Sequence, residues 1–220
     1  MFIGHFAVAF AAKRALPAVS LGTLFLAAQL ADLVWPTLVL LGVEAFSIRP
    51  GITTVTPLDF TRYPYSHSLV GMASWGVALG LLYWIIKRNA FAAAMLFAVV
   101  LSHWVLDFMT HRPDLPLTLT GADRYGLGLW HSRIATLVVE GTLFAACAWW
   151  YARTTRPLDG TGRWAFIALV GFLALIYCAN IFGPPPPSVG AVVWSAQAIW
   201  LLVAWAYWID RHRAPTTITR

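Results

Sequence analysis

The chain has 220 residues, of which 60% are hydrophobic and 11% charged, and its mean hydropathy is +0.70. Soluble domains carry about 25% charged residues, so these proportions exclude a water-soluble globule and imply an integral membrane protein. The net charge of +6 comes mainly from short basic loops; it reads as a topology signal, and no nucleic-acid partner is expected.

Met1 to Ala12 is apolar but too short to cross a hydrocarbon core that takes about 20 helical residues. A short helix dipping in from one side, or half-buried against a bundle, is expected there, and it carries His5. The first full span runs from Pro17 to about Val43. Asp32 lies near its middle, just before Trp35-Pro36, and the proline should kink the helix or open its hydrogen-bond ladder. Glu44 to Ser66 reads as a polar loop whose one extended candidate is Ile52 to Val55. Further spans are expected at His67–Ile86, Ala90–Met109, His131–Tyr151, Trp164–Phe182 and Val189–Ile209. Between them lie the loop Arg112–Trp130, a basic loop with Arg153, Arg156 and Arg163, and a stiff turn from Gly183 to Pro187. A basic tail with Arg211, Arg213 and Arg220 follows.

The expected fold is therefore all-α: a polytopic helical bundle of about six transmembrane helices plus a short N-terminal helix. Residues 1–220 read as a single membrane domain, with the site in 1–135 and supporting helices in 136–220. No cleavable signal is expected, because Lys13-Arg14 follows the first apolar run. The Trp and Tyr residues fit interfacial anchoring, with Trp149, Trp150 and Trp205 also candidates for packing between helices. Cys147 and Cys178 fall inside apolar runs, where no structural disulfide is expected. Threading the spans alternately collects Lys13, Arg14, Lys87, Arg88, Arg153, Arg156, Arg163, Arg211, Arg213 and Arg220 on one face. Arg49, Arg62, Arg112, Arg124 and Arg133 fall on the other. The more basic face should be cytoplasmic, so the long loops, and the site with them, face outward.

Near the end of the third span, His103, Asp107 and His111 stand four residues apart and form one helical stripe. Ionisable groups at membrane depth are costly and mark functional sites, and this spacing is that of helical metal motifs. Together His5, Asp32, His67, His103 and Asp107 supply three imidazoles and two carboxylates, the mixture zinc takes in hydrolytic sites. Their depths spread over roughly 15 Å, which tilt and a kink at Pro36 would close. Asp107, between two histidines, is best placed to bridge two metals.

Any one of these residues taken alone reads as an ordinary helix-to-helix hydrogen bond; their convergence is what points to a metal. His131 reads as interfacial. Glu140 reads as a lone buried acid, a proton relay or an outer partner of the site, and His212 as solvated. Asp114 and Asp123 read as loop caps before ligands. Arg112, Arg124 and Arg133 are candidates to pair with phosphate oxygens, each also readable as an ordinary interfacial arginine. The sequence has no His-Glu-x-x-His and no Gly-x-Ser-x-Gly. Ser132-Arg133 lacks the downstream histidine of a lipid-phosphatase motif.

The order His5, Asp32, Ser66-His67-Ser68, His103-x3-Asp107 and His111, with Pro113-Asp114-Leu115-Pro116 behind it, resembles a known family. It is similar to the bacterial membrane-bound metal-dependent hydrolases of the YdjM type, over roughly residues 1–135. More distantly it is similar to zinc-dependent phospholipases C and the fungal single-strand nucleases. The resemblance implies one metal on Asp32, His67, His103 and Asp107, a second shared by His5 and Asp107, and His111 on a third. Two departures stand out. His131-x3 leads to Ala135 where those enzymes have an aspartate, and Met1-Phe2-Ile3-Gly4, read as uncleaved, stands where they present a processed amino terminus as ligand.

One or two zinc ions are therefore expected, with Asp107 and His111 as catalytic residues. The expected activity is hydrolysis of a phosphoester by metal-activated water, with a lipid head group as substrate, in the bacterial cytoplasmic membrane. One alternative is an ion, proton or metal transporter using the same cluster; it needs a polar route on to the cytoplasmic face, for which the sequence offers little beyond Gln29, Glu140 and Asn180. Another is a membrane assembly factor without chemistry.

Overall fold

The computed structural model describes residues 1–216, so Arg220 lies outside the described residues. In chain order it has helices α1 (Ile3–Ala15), α2 (Leu21–Ala28) and α3 (Leu30–Leu40), then a hairpin of β1 (Ala45–Ile48) and β2 (Leu58–Arg62). The one-turn α4 (Pro64–His67) leads into α5 (Leu69–Lys87) and α6 (Ala90–Thr110). A loop with the short pair β3 (Leu115–Pro116) and β4 (Arg124–Tyr125) follows. The remainder is α7 (Arg133–Thr154), β5 (Thr155–Pro157), α8 (Gly160–Phe182), α9 (Val189–Gln197), α10 (Ile199–Arg211) and β6 (Arg213–Pro215).

The apolar runs become helices because each is opened by a polar cap. Ser68, Asn89, Ser132, Asp159 and Ser188 each accept a hydrogen bond from the backbone N–H three residues on, which satisfies a donor the helix leaves free. Among the described residues, five stretches are long and apolar enough to cross a membrane: α5, α6, α7, α8 and Val189–Arg211. A sixth is the bent pair α2–α3, if counted as one span. Only 22% to 33% of their apolar windows is buried inside the protein. The rest of that apolar surface faces outward, which lipid tolerates and water does not. The chain is an all-α, membrane-embedded bundle.

Hydrophobic burial does not drive helix pairing inside lipid, so close approach matters more. The α5–α6 pair has it: a side chain at Gly80 would lie 3.0 Å from the Ala93 carbonyl, and one at Gly76 would meet the Phe97 ring at 2.9 Å. Gly76-Val77-Ala78-Leu79-Gly80 is a small-residue contact face of the G-x-x-x-G kind.

The structure corrects several expectations. α1 is not half-buried but lies at the centre of the bundle, packed chiefly on α7, with α2 and α6 beside it. Phe6, Ala7, Ala9 and Phe10 have no exposed surface. A helix apolar on nearly all sides belongs in an interior, and Phe10 lies against the rings of Phe25, Tyr151 and Phe166. The kink of the first span falls at Gln29, where α2 and α3 meet at 55°, while Pro36 sits inside a continuous α3. Ile52–Val55 is not the extended piece; it lies in the connection between β1 and β2. Trp149 and Trp150 do not pack between helices. They are 60% and 44% exposed, under the guanidinium groups of Arg153 and Arg14, an arrangement suited to a membrane interface.

The basic end is structured rather than a loose tail. β5 pairs with β6, and Arg213 is buried, donating to Gly162 O and Thr155 O over the Tyr151 ring. His212, expected to be solvated, is half-buried and bonded to Asp159 at 2.7 Å. Lys13 is buried on the Asp210 carboxylate at 2.7 Å, tying α1 to α10. At the opposite end Trp35, Phe46, Phe60, Tyr63, Leu115 and Val193 form a second small core. It roofs the histidine cluster.

Candidate metal centre

Four elements deliver the cluster: α1 brings His5, α3 Asp32, α4 His67, and α6 His103 and Asp107, with His111 capping its end. All six expected ligands meet. His5 Nε2 lies 3.1 Å from Asp107 Oδ1. The other Asp107 oxygen faces His103 Nε2 at 3.3 Å, His111 Nε2 at 3.9 Å and His67 Nε2 at 4.0 Å. Asp32 lies 3.4 Å from His67 Nε2 and 3.8 Å from His103 Nε2. The histidines and Asp107 are buried, whereas the Asp32 side chain keeps 23% of its surface exposed.

The break at Gln29 explains two of these positions. It releases the Ala28 carbonyl, which accepts from His103 Nδ1–H at 2.8 Å. It also places Asp32 in the first turn of α3, where the helix dipole favours a negative charge.

Three imidazoles are tied from behind at Nδ1. His103 is held by Ala28 O. His67 Nδ1–H donates to Ser66 Oγ at 2.7 Å, whose hydroxyl donates to Glu44 Oε2 at 2.6 Å. His111 Nδ1–H donates to Asp114 Oδ1 at 2.9 Å. Each bond selects the tautomer with a free lone pair on Nε2, and in all three rings that atom points at the carboxylates. His5 stacks on His103, ring centroids 3.5 Å apart and planes within 3°. This is the outer-partner pattern of metal-binding histidines.

Sequence reasoning missed Glu44, read only as the start of a loop. Its carboxylate is buried and accepts from the N–H groups of Tyr65 and Ser66 as well as from Ser66 Oγ. It thereby holds α4, and His67 with it. Asp114 does more than cap: it also accepts from Tyr63 Oη at 3.2 Å and Arg112 Nε at 2.9 Å. Burial, and next the Asp114 carboxylate, hold the Tyr63 phenol well above its ordinary pKa, so it stays a donor.

The amino terminus is also inside the site. The Met1 amine is buried on Asp107 Oδ1, and Phe2 N–H donates to Glu140 Oε2 at 3.0 Å. Glu140 joins the site as a support for that segment, while His131 is exposed on the loop before α7.

The three candidate arginines divide. Arg112 is ion-paired with Asp59 and Asp114, and Arg124 donates to the carbonyls of Phe60, Thr61 and Gly121. Both hold loops together. Arg133 lines the cavity over the cluster and donates to Thr54 O at 3.1 Å. Asp123 is exposed on its loop.

The donors suit a cation. Two groups, His5–His103–Asp107 and Asp32–His67–His103, each have ligand atoms within 4.8 Å of one another. Buried polar atoms normally find a hydrogen-bond partner. Among the described residues His103 Nε2 is buried without one, which a bound cation would supply. A cavity of about 1040 Å³ opens from the cluster. Its far wall comes from α8, α9 and α10.

Fold and site together define a class: an integral membrane helical bundle with a buried His/Asp cluster able to bind a metal. No family model, curated protein or solved structure matches the chain.

Proposed function

We propose that this protein is a membrane-embedded, metal-dependent hydrolase of phosphoesters, acting on a lipid head group in the bacterial cytoplasmic membrane with the cluster toward the outer side. The resemblance to YdjM-type hydrolases points the same way. The observation that carries the reading is the set of imidazoles locked at Nδ1 with Nε2 aimed at two carboxylates. Such preorientation is what metal sites need, and helix-to-helix hydrogen bonding alone gives no reason for it.

Imidazoles with carboxylates suit zinc. Zinc held there supplies Lewis acidity, toward water and toward phosphate oxygens alike. His103 has one free lone pair, because Nδ1–H is engaged by Ala28, so it serves one of the two ligand groups at a time. Asp107 divides its oxygens, Oδ1 toward His5 and Oδ2 toward the other three histidines, and can bridge. One or two ions follow, with Asp32, His67, His103 and Asp107 as the principal holders. His111, backed by Asp114, is a further ligand or the base that takes a proton at Nε2. Arg133 is the arginine placed to pair with a phosphate oxygen in the cavity.

The test is metal content by elemental mass spectrometry on protein purified in detergent without chelator, wild type beside Asp107→Ala and His103→Ala. We expect at least one zinc-type ion per chain, lost in both variants while they remain monodisperse and helical. Metal-free wild-type protein would sink the hydrolase reading and pass the cluster to a proton path or a structural role.

A further inference from the structure

The cavity is far larger than the cluster needs. At about 1040 Å³ it reaches the top of the range for small-molecule pockets, roughly 300–1,000 Å³, where water and a phosphate group would fill a small part. From Asp107 and His67 it runs between α3 and the last three helices to Ile176, Leu202 and Trp205. Its outer wall is apolar and open to the side. Phe172 and Leu201 line it and are yet 40% and 71% exposed, both within stretches long and apolar enough to cross the membrane. In a chain whose helices cross the membrane there, such side chains would meet bilayer hydrocarbon. The gap has a topological origin: α9 packs mainly on α3 and α8 on α10, so the Gly183–Pro187 turn joins two helices that diverge.

Trp35 and Trp205 line this space. Their indole Nε1 atoms lie beneath the lining, without accessible surface and without a hydrogen-bond partner among the described residues. A buried indole N–H normally finds an acceptor. Trp35 is 5% exposed, with its ring centroid 6.3 Å from that of His67, so its ring walls the head-group end. The cavity is polar at the cluster end and apolar along the arm lined by Ile176, Leu202 and Trp205, the polarity of a phosphate head group joined to a hydrocarbon chain.

We infer that the cavity admits a phospholipid sideways from the bilayer, one acyl chain lying between α8 and α10 while the phosphoester meets the cluster. The inference rests on the proposed hydrolase for the fate of the head group, but lipid binding itself is measurable without turnover.

The experiment uses the full chain in phosphatidylcholine vesicles containing a minor fraction of phosphatidylcholine with a photoactivatable diazirine on one acyl chain. Adducts are mapped by mass spectrometry. We expect labelling on the inward residues Ile176, Leu202 or Trp205, reduced about tenfold by Leu201→Trp, which plugs the opening, in protein that remains monodisperse. Ala198→Leu serves the same purpose if Leu201→Trp fails to fold. Adducts confined to outward residues such as Ile167 and Leu175, or inward labelling indifferent to the plug, would overturn the inference. The two readings separate cleanly. Inward labelling of metal-free protein keeps the lipid site and removes the hydrolase. A metal-loaded protein that cleaves a short soluble phosphodiester yet takes no chain inside does the reverse.

Discussion

Glu44 is the residue on which His67 depends most. It accepts three hydrogen bonds from the turn that carries His67, and one of them relays to Nδ1 of that ring. Glu44→Ala strands buried donors, at about 1–3 kcal/mol. It should also lower metal affinity about 10- to 100-fold, as loss of an outer partner does; competition with a graded chelator series reads this directly. Unchanged affinity would detach Glu44 from the site. At the other end, Asp159 caps α8. Its carboxyl is held below the ordinary range first by the Gly162 N–H and then by His212. A depressed folded-state value means the cap contributes fully above the unfolded value of about 3.9 and is lost as pH falls through the folded one. Hydrogen exchange at Gly162 and Arg163 should therefore stay protected at pH 6 and quicken only below about pH 4. Asp159→Asn should remove that acid dependence.

At the scale of elements, the pairing of α5 with α6 decides where the His103–Asp107–His111 stripe stands, because α6 carries it. Gly80 lets the Ala93 carbonyl approach, and backbone cannot move aside as a side chain can. Gly80→Leu should destabilise the bundle by about 1–3 kcal/mol through overpacking, read as a fall in midpoint under denaturing detergent, whereas Leu81→Ala on the exposed face should change little. The break between α2 and α3 is the second decisive element. A continuous helix there would engage the Ala28 carbonyl in its own ladder, and His103 would lose the bond that orients it.

For the whole molecule, the two ends differ in chemistry. One carries the aromatic roof over the histidines; the other has arginines over tryptophans, the β5–β6 pair and the Lys13–Asp210 bridge. The charge asymmetry predicts that the second end is cytoplasmic. In a background without Cys147 and Cys178, Thr120→Cys should react with a membrane-impermeant maleimide in intact cells, and Leu158→Cys only after lysis. The opposite pattern would invert the topology and put the cluster on the inner side.

The apolar spans, their polar caps and the His103–Asp107–His111 stripe were legible in the sequence because they depend on composition and on spacing within one helix. So was the convergence of His5, Asp32 and His67 as a chemical set, though not its geometry. The rest depends on contacts between residues far apart in the chain: Ala28 with His103, Glu44 with Ser66, Met1 with Asp107. Only the tertiary structure decided that the bend falls at Gln29 rather than Pro36, that α1 forms the centre, and that the last three helices wall the cavity. The physical reason is that helix formation answers to local pattern, whereas the direction of a lone pair and the shape of a cavity are set by whatever packs against them.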